Sequence, residues 1–96
     1  MDFETFQASL GAATPPEKAG ALLRALWLDA RGDWDGAHAI AQDVEDNDGA
    51  CVHAYLHRKE GDLSNAGYWY RRASEKPFEG SLAAEWEALA RRFCER

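Results

Sequence analysis

The apolar positions of this chain recur at three- and four-residue steps from one end to the other. Phe3, Phe6 and Leu10 mark a short first helix, which the segment Gly11 to Pro16 breaks. Thr14 reads as the N-cap of a second helix, with Pro15 at its first position and Glu17 completing a capping box. Ala19, Leu22, Leu23, Leu26, Trp27 and Ala30 form its stripe, and Gly32 ends it. Asp33 caps a third helix striped by Ala37, Ile40, Ala41 and Val44. After the break Asn47-Asp48-Gly49, with Asp48 as the expected cap, a fourth helix runs over about 49–60. It is apolar on several faces (Ala50, Cys51, Val52, Ala54, Tyr55, Leu56), so it belongs at the centre. Gly61 ends it, Asp62 caps a fifth helix carrying Ala66, Trp69, Tyr70 and Ala73, and Pro77 stops that one. The last helix carries Leu82, Trp86, Leu89, Ala90 and Phe93, with Arg91, Arg92 and Arg96 toward its C-terminal dipole. No segment alternates with period two, so no sheet is expected.

The expected fold is therefore all-α, a compact bundle of five to six short antiparallel helices in one domain spanning 1–96. The hairpins are expected over about 18–46 and 48–77, with a closing helix over about 80–95. An internal repeat supports that division. Gly32-Asp33-Trp34-Asp35-Gly36-Ala37 recurs as Gly61-Asp62-Leu63-Ser64-Asn65-Ala66, each copy between two helices. Glycine permits the left-handed cap and Asp caps the next helix. Trp34 or Leu63 plugs the corner, and Ala37 or Ala66 allows close helix approach.

These turns resemble those of tetratricopeptide (TPR) repeats, whose hairpins read Gly-Asp-aromatic-x-x-Ala with a further alanine seven residues on. Ala66 and Ala73 match that pair, and Pro77 lies near the usual closing proline. The resemblance covers about residues 18–77, as two degenerate copies closer together than the family's period of about 34 residues. It implies paired helical hairpins of the α-α superhelix type and a role in protein–protein binding. The segment His53 to Asp62, continuing through Asn65-Ala66 and Tyr68 to Ala73, also resembles a family of small uncharacterised proteins, which implies no activity.

Ninety-six residues allow one domain and only a modest core, which self-association would help. The net charge of −6 opposes binding to nucleic acid or anionic membrane. That charge is uneven: residues 1–48 carry ten acids and three bases, residues 49–96 seven acids and eight bases. The uneven charge forms either two solvated surfaces or complementary patches that orient a partner or a second copy. The longest stretch free of charged residues, Thr5–Pro16, is too short to cross a bilayer. An acidic N-terminal segment and two cysteines outside any CxxC pair point to a cytoplasmic protein with reduced thiols.

No enzyme signature emerges. Cys51 sits in an apolar run and faces away from His53, Ser64 is explained by capping, and no Gly-rich phosphate loop is present. Two candidate sites remain. Tyr55, Tyr68, Trp69 and Trp34, with Arg71 and Arg72, supply amphipathic and cationic surface suited to an interface. On this first reading the chain is a small scaffold that binds a protein partner or itself and needs no cofactor. The second site rests on histidines. His53 and His57 are four apart, Glu60 lies three further on the same helical face, and His38 is on the preceding helix. Imidazoles with a carboxylate form a workable set for zinc or another divalent metal, and extend the reading to hydrolysis. That set requires the three imidazoles to converge; otherwise the histidines serve packing.

Overall fold

The computed structural model describes residues 1–95. The chain forms α1 (Phe3–Ala8), a 3₁₀ turn (Ser9–Gly11), α2 (Ala21–Ala30), α3 (Trp34–Asp43), α4 (Asn47–Glu60), α5 (Leu63–Arg72) and α6 (Leu82–Cys94), with no strand among the described residues. The fold is all-α. Helix α4 is its axis: every residue from Gly49 to His57 is buried. Helices α2 and α3 pair as one hairpin, α4 and α5 as another, and α3 joins the two by packing on α4. Helix α6 crosses α2 and α4, and α1 lies against α6. No helix among the described residues is long and apolar enough to cross a membrane.

The two hairpin turns are built alike. Gly32 and Gly61 adopt φ of +87° and +90°, a region nearly closed to residues with a Cβ. The next residue then caps: Asp33 accepts from the Gly36 amide at 2.8 Å and Asp62 from that of Asn65 at 3.3 Å. Three indoles fasten the elements together. Trp27 Nε1 donates to the Ser9 carbonyl, Trp34 Nε1 to that of Leu56 and Trp86 Nε1 to that of Leu26, at 3.1, 2.8 and 2.9 Å. Phe6 stacks on Trp86 and Phe3 meets its edge, which seats α1.

Three boundaries differ from the sequence expectation. Helix α2 starts at Ala21, not Pro15. Thr14 and Pro15 each precede a proline, which biases both away from helical ψ, so no first turn forms there. The cap of α4 is Asp46, whose carboxylate accepts from the Gly49 amide at 2.8 Å; Asp48 lies inside the first turn. Helix α5 ends at Arg72, well before Pro77. Ser74 turns left-handed with φ of 59°, and the Glu75 amide reaches back to the Tyr70 carbonyl at 3.0 Å, closing a Schellman motif.

Two carboxylates are buried in the bundle, and each is fully engaged. Asp29 accepts from the Tyr55 hydroxyl at 2.6 Å and from Lys59 Nζ at 2.9 Å. Glu85 accepts from the Tyr70 hydroxyl at 2.5 Å and from Arg58 at 2.7 Å. Burial, then the neighbouring carboxylate, pushes both tyrosine hydroxyls far above their ordinary range, so they remain donors.

Candidate metal centre

The packing of α3 on α4 brings the three histidines together. His38 projects from the second turn of α3, His53 and His57 from successive turns of α4. One ring nitrogen from each lies within 4.8 Å of the others. His38 Nε2 and His53 Nε2 are 2.9 Å apart, a hydrogen bond in which one ring donates and the other accepts. The rings of His53 and His57 stack at 4.8 Å between centroids, and His38 meets both edge-on.

Two tryptophans enclose the group. Trp34 stacks on His38 at 4.9 Å and 10°, and presents its edge to His57. Trp69 stacks on His53 at 3.8 Å and 14°. Their indoles replace water over two of the imidazoles. His53 and His57 are only 5% and 7% exposed, and His38 is half-buried.

The third ring is oriented by its neighbours. His57 Nδ1 donates to Glu60 Oε2 at 2.5 Å, and the Asn65 side-chain amide approaches His57 Nε2 at 3.4 Å. Together these contacts select the Nδ1–H tautomer and leave the Nε2 lone pair as acceptor. A carboxylate on the outer nitrogen is the usual companion of a metal-ligating imidazole. Glu60 therefore lies outside the three-imidazole set. Expected from sequence as a ligand beside the histidines, it instead grips His57 from behind, because its position one turn on reaches Nδ1.

The electrostatics lower the proton affinity of His38 and His53. Burial, then the charges of His38 and His57, lowers His53 to about 4. Burial and His57 also lower His38, against opposing pulls from Glu60 and Asp35. Imidazoles that resist protons at neutral pH are ready to ligate. Zinc–nitrogen bonds of about 2.0–2.1 Å at tetrahedral angles separate two ligand nitrogens by about 3.3 Å. The His38–His53 pair needs to open by less than an ångström to admit an ion. His57, Glu60 and Asp62 also come within ligand distance of one another. That grouping is spent differently: Glu60 holds His57, and Asp62 caps α5.

The six residues expected on a partner face divide between the core, the histidine cluster and the outer side of α5. Tyr55 is 2% exposed with its hydroxyl on Asp29, so it presents nothing outward. Tyr55 lies within the run of α4, Gly49 to His57, that is buried on every side. Trp34 and Trp69 are half-buried walls of the histidine cluster. Tyr68 is 44% exposed, and Arg71 and Arg72 are exposed. Asn65 is a site residue that sequence reading passed over. Its contact with His57 crosses a helical turn junction and leaves no periodic trace; the only sign is Asn65 standing where the first repeat has Gly36. The thiols take no part: Cys51 and Cys94 are buried and unpaired, and burial pushes Cys51 up to about 11.

Compared with protein-family models, curated proteins and solved structures, the chain matches none.

Proposed function

We propose that this protein binds one divalent transition metal ion, of the zinc class, on ring nitrogens of His38, His53 and His57. The observation that carries this is the convergence of three imidazoles from two helices within 4.8 Å. The lowered proton affinity of His38 and His53, the Glu60 contact on His57 and the two indole walls all support it. Nitrogen-only donors suit zinc, copper, nickel or iron better than calcium or magnesium. Three protein donors leave one tetrahedral position for water, the pattern of catalytic rather than structural zinc sites. Zinc lowers the pKa of such a water to about 7, and the chemistry this supplies is hydrolysis.

The test is a native mass spectrum of untagged protein after exposure to zinc, with and without chelator. One chelator-removable ion per chain is the expected result, lost in a folded His53→Gln variant. A folded wild-type chain that stays metal-free overturns the reading and leaves the histidines a packing role.

The interaction reading keeps one observation in its favour. Helix α5 exposes Leu63 at 67% and Tyr68 at 44%, with Arg71 on the same helix. On this reading the TPR-like hairpins present α5 to a second copy of the chain. Sedimentation equilibrium decides it: a dimer lost on Leu63→Glu supports the reading, and a monomer at high concentration removes it.

A further inference from the structure

One member of the histidine cluster, His53, borders a cleft of about 350 Å³ between the end of α3, the start of α4 and α5. His53 and Trp69 line it, with Gln42, Glu45, Asp46 and Arg72 among the polar residues around them. Arg72, like Arg24 and Arg31, which hold backbone carbonyls, has no carboxylate partner among the described residues. Arg58 pairs with Glu85, Arg91 with Glu87, and Arg92 with Glu75 and Asp48. The contacts of Arg72 among the described residues are neutral. Its Nη1 donates to the Tyr68 hydroxyl at 3.0 Å, and its guanidinium carbon stands 5.5 Å from the Trp69 ring centroid and 5.9 Å from that of Tyr68. Trp69 thus touches His53 through its ring and Arg72 through a cation–π contact.

We infer that this cleft admits a small oxyanion, a carboxylate or a phosphate, to the open position of the metal beside His53, with Arg72 as the cation that holds it. The inference rests on the metal reading above. The guanidinium fork matches carboxylate and phosphate oxygens in pairs, and two aromatic rings already hold it in place. A dication held in part by His53 and the Arg72 guanidinium, both on this cleft, attract one anion from two sides. The size sets the class, because about 350 Å³ lies at the small end of ligand sites. Glu45 adds a negative charge at the cleft and disfavours polyanions. Asp46, although it caps α4, adds to that negative charge.

Cobalt(II) in place of zinc makes both layers visible. Wild-type protein loaded with cobalt should show the visible bands of a four-coordinate ion. Inorganic phosphate and, separately, acetate are then titrated in at constant ionic strength. The expected result is a saturable shift of those bands by at least one of the two anions. Arg72→Met should keep the cobalt spectrum and weaken the anion about tenfold or more, as loss of one charged hydrogen bond implies. Lys76→Met, which removes an equal charge elsewhere, should leave the titration unchanged. A response to phosphate alone assigns a phosphate ligand, and one to acetate alone a carboxylate. A cobalt spectrum that neither anion moves, or that moves equally in Arg72→Met, overturns the inference and spares the metal reading. A wild-type chain with no cobalt bands overturns both.

Discussion

His38 and His53 face each other nitrogen to nitrogen at 2.9 Å, although they stand on different helices and fifteen residues apart. A direct hydrogen bond between two imidazoles requires that at least one ring stay neutral, because one nitrogen must accept. It also turns one nitrogen of each ring toward the other. His57 completes the group from one turn along α4, and Trp34 and Trp69 wall it off. The predictions below separate what this arrangement does for binding from what it does for folding.

Removing His53 should abolish tight metal binding while the bundle survives. His53→Gln retains bulk against Trp69 and should cost about 1–2 kcal/mol of stability, a typical value for one disturbed buried polar contact. Isothermal titration with zinc checks the first part, and urea unfolding of the metal-free variant the second. A variant that binds zinc as wild type does would remove His53 from the site.

Glu60 acts through His57 rather than as a member of the imidazole set. Glu60→Gln should weaken zinc about 10–100-fold, the usual effect of losing a carboxylate behind a ligating histidine. Its stability should change by no more than about 0.5 kcal/mol, because Glu60 is largely solvated. Competition against a chromophoric chelator measures the affinity. An unchanged affinity would make the contact incidental.

Metal-free protein should lose stability as pH falls from about 6.5 to about 4. His53 takes up a proton near 6.5 in the unfolded chain but only near 4 in the folded one. Between those values the unfolded state holds more protons, so acid favours unfolding. His38 is lowered too and acts in the same direction. The contribution is fully present at pH 7. The slope from His53 should approach about 1.4 kcal/mol per pH unit. Urea midpoints at half-unit pH steps report it, and His53→Gln should flatten the profile. An equally steep wild-type and variant profile would place the titration elsewhere.

Gly49→Ala tests the seam that sets α3 against α4. A Cβ there would stand 1.8 Å from the Val44 backbone carbonyl oxygen, far inside contact distance. Alanine ordinarily gains up to about 1 kcal/mol over glycine in a helix. Here overpacking wins, and a net loss of about 1–3 kcal/mol is expected. The melting temperature should fall by about 4–8 °C per kcal/mol. A neutral or raised melting temperature would mean that the seam yields.

Asp29→Ala should cost about 3 kcal/mol. It leaves the buried Tyr55 hydroxyl without an acceptor, while Lys59 returns partly to water. Tyr55→Phe in the same background should recover part of the loss, because the orphaned hydroxyl goes with it. No recovery would show that the cavity, not the hydroxyl, dominates.

Much of this fold was legible in local chemistry. The glycines at 32 and 61 and the aspartates that follow them dictate both hairpin turns. The apolar circumference of α4 places it at the centre. What escaped was competition between neighbours. Asp46 and Asp48 are both fit to cap, and the choice depends on which carboxylate reaches Gly49. Pro15 is a good first helical residue until Pro16 follows it. The site divides the same way. His53 and His57 share a face by helical spacing alone, so their pairing could be read. That His38 joins them depends on the register of α3 on α4, which the Gly49–Val44 contact sets. The aromatics misled for a related reason. Tyr55, Trp34 and Trp69 have the chemistry of an interface, but side-chain type does not say which surface is covered. Here they serve the core and the cluster.

X-ray absorption at the zinc edge of the loaded, untagged protein tests the central claim most directly, since it counts imidazoles on the ion itself. The account predicts three imidazole nitrogens at about 2.0–2.1 Å and one further light atom. Zinc held by carboxylates with a single imidazole, or no zinc retained by folded protein, would contradict it.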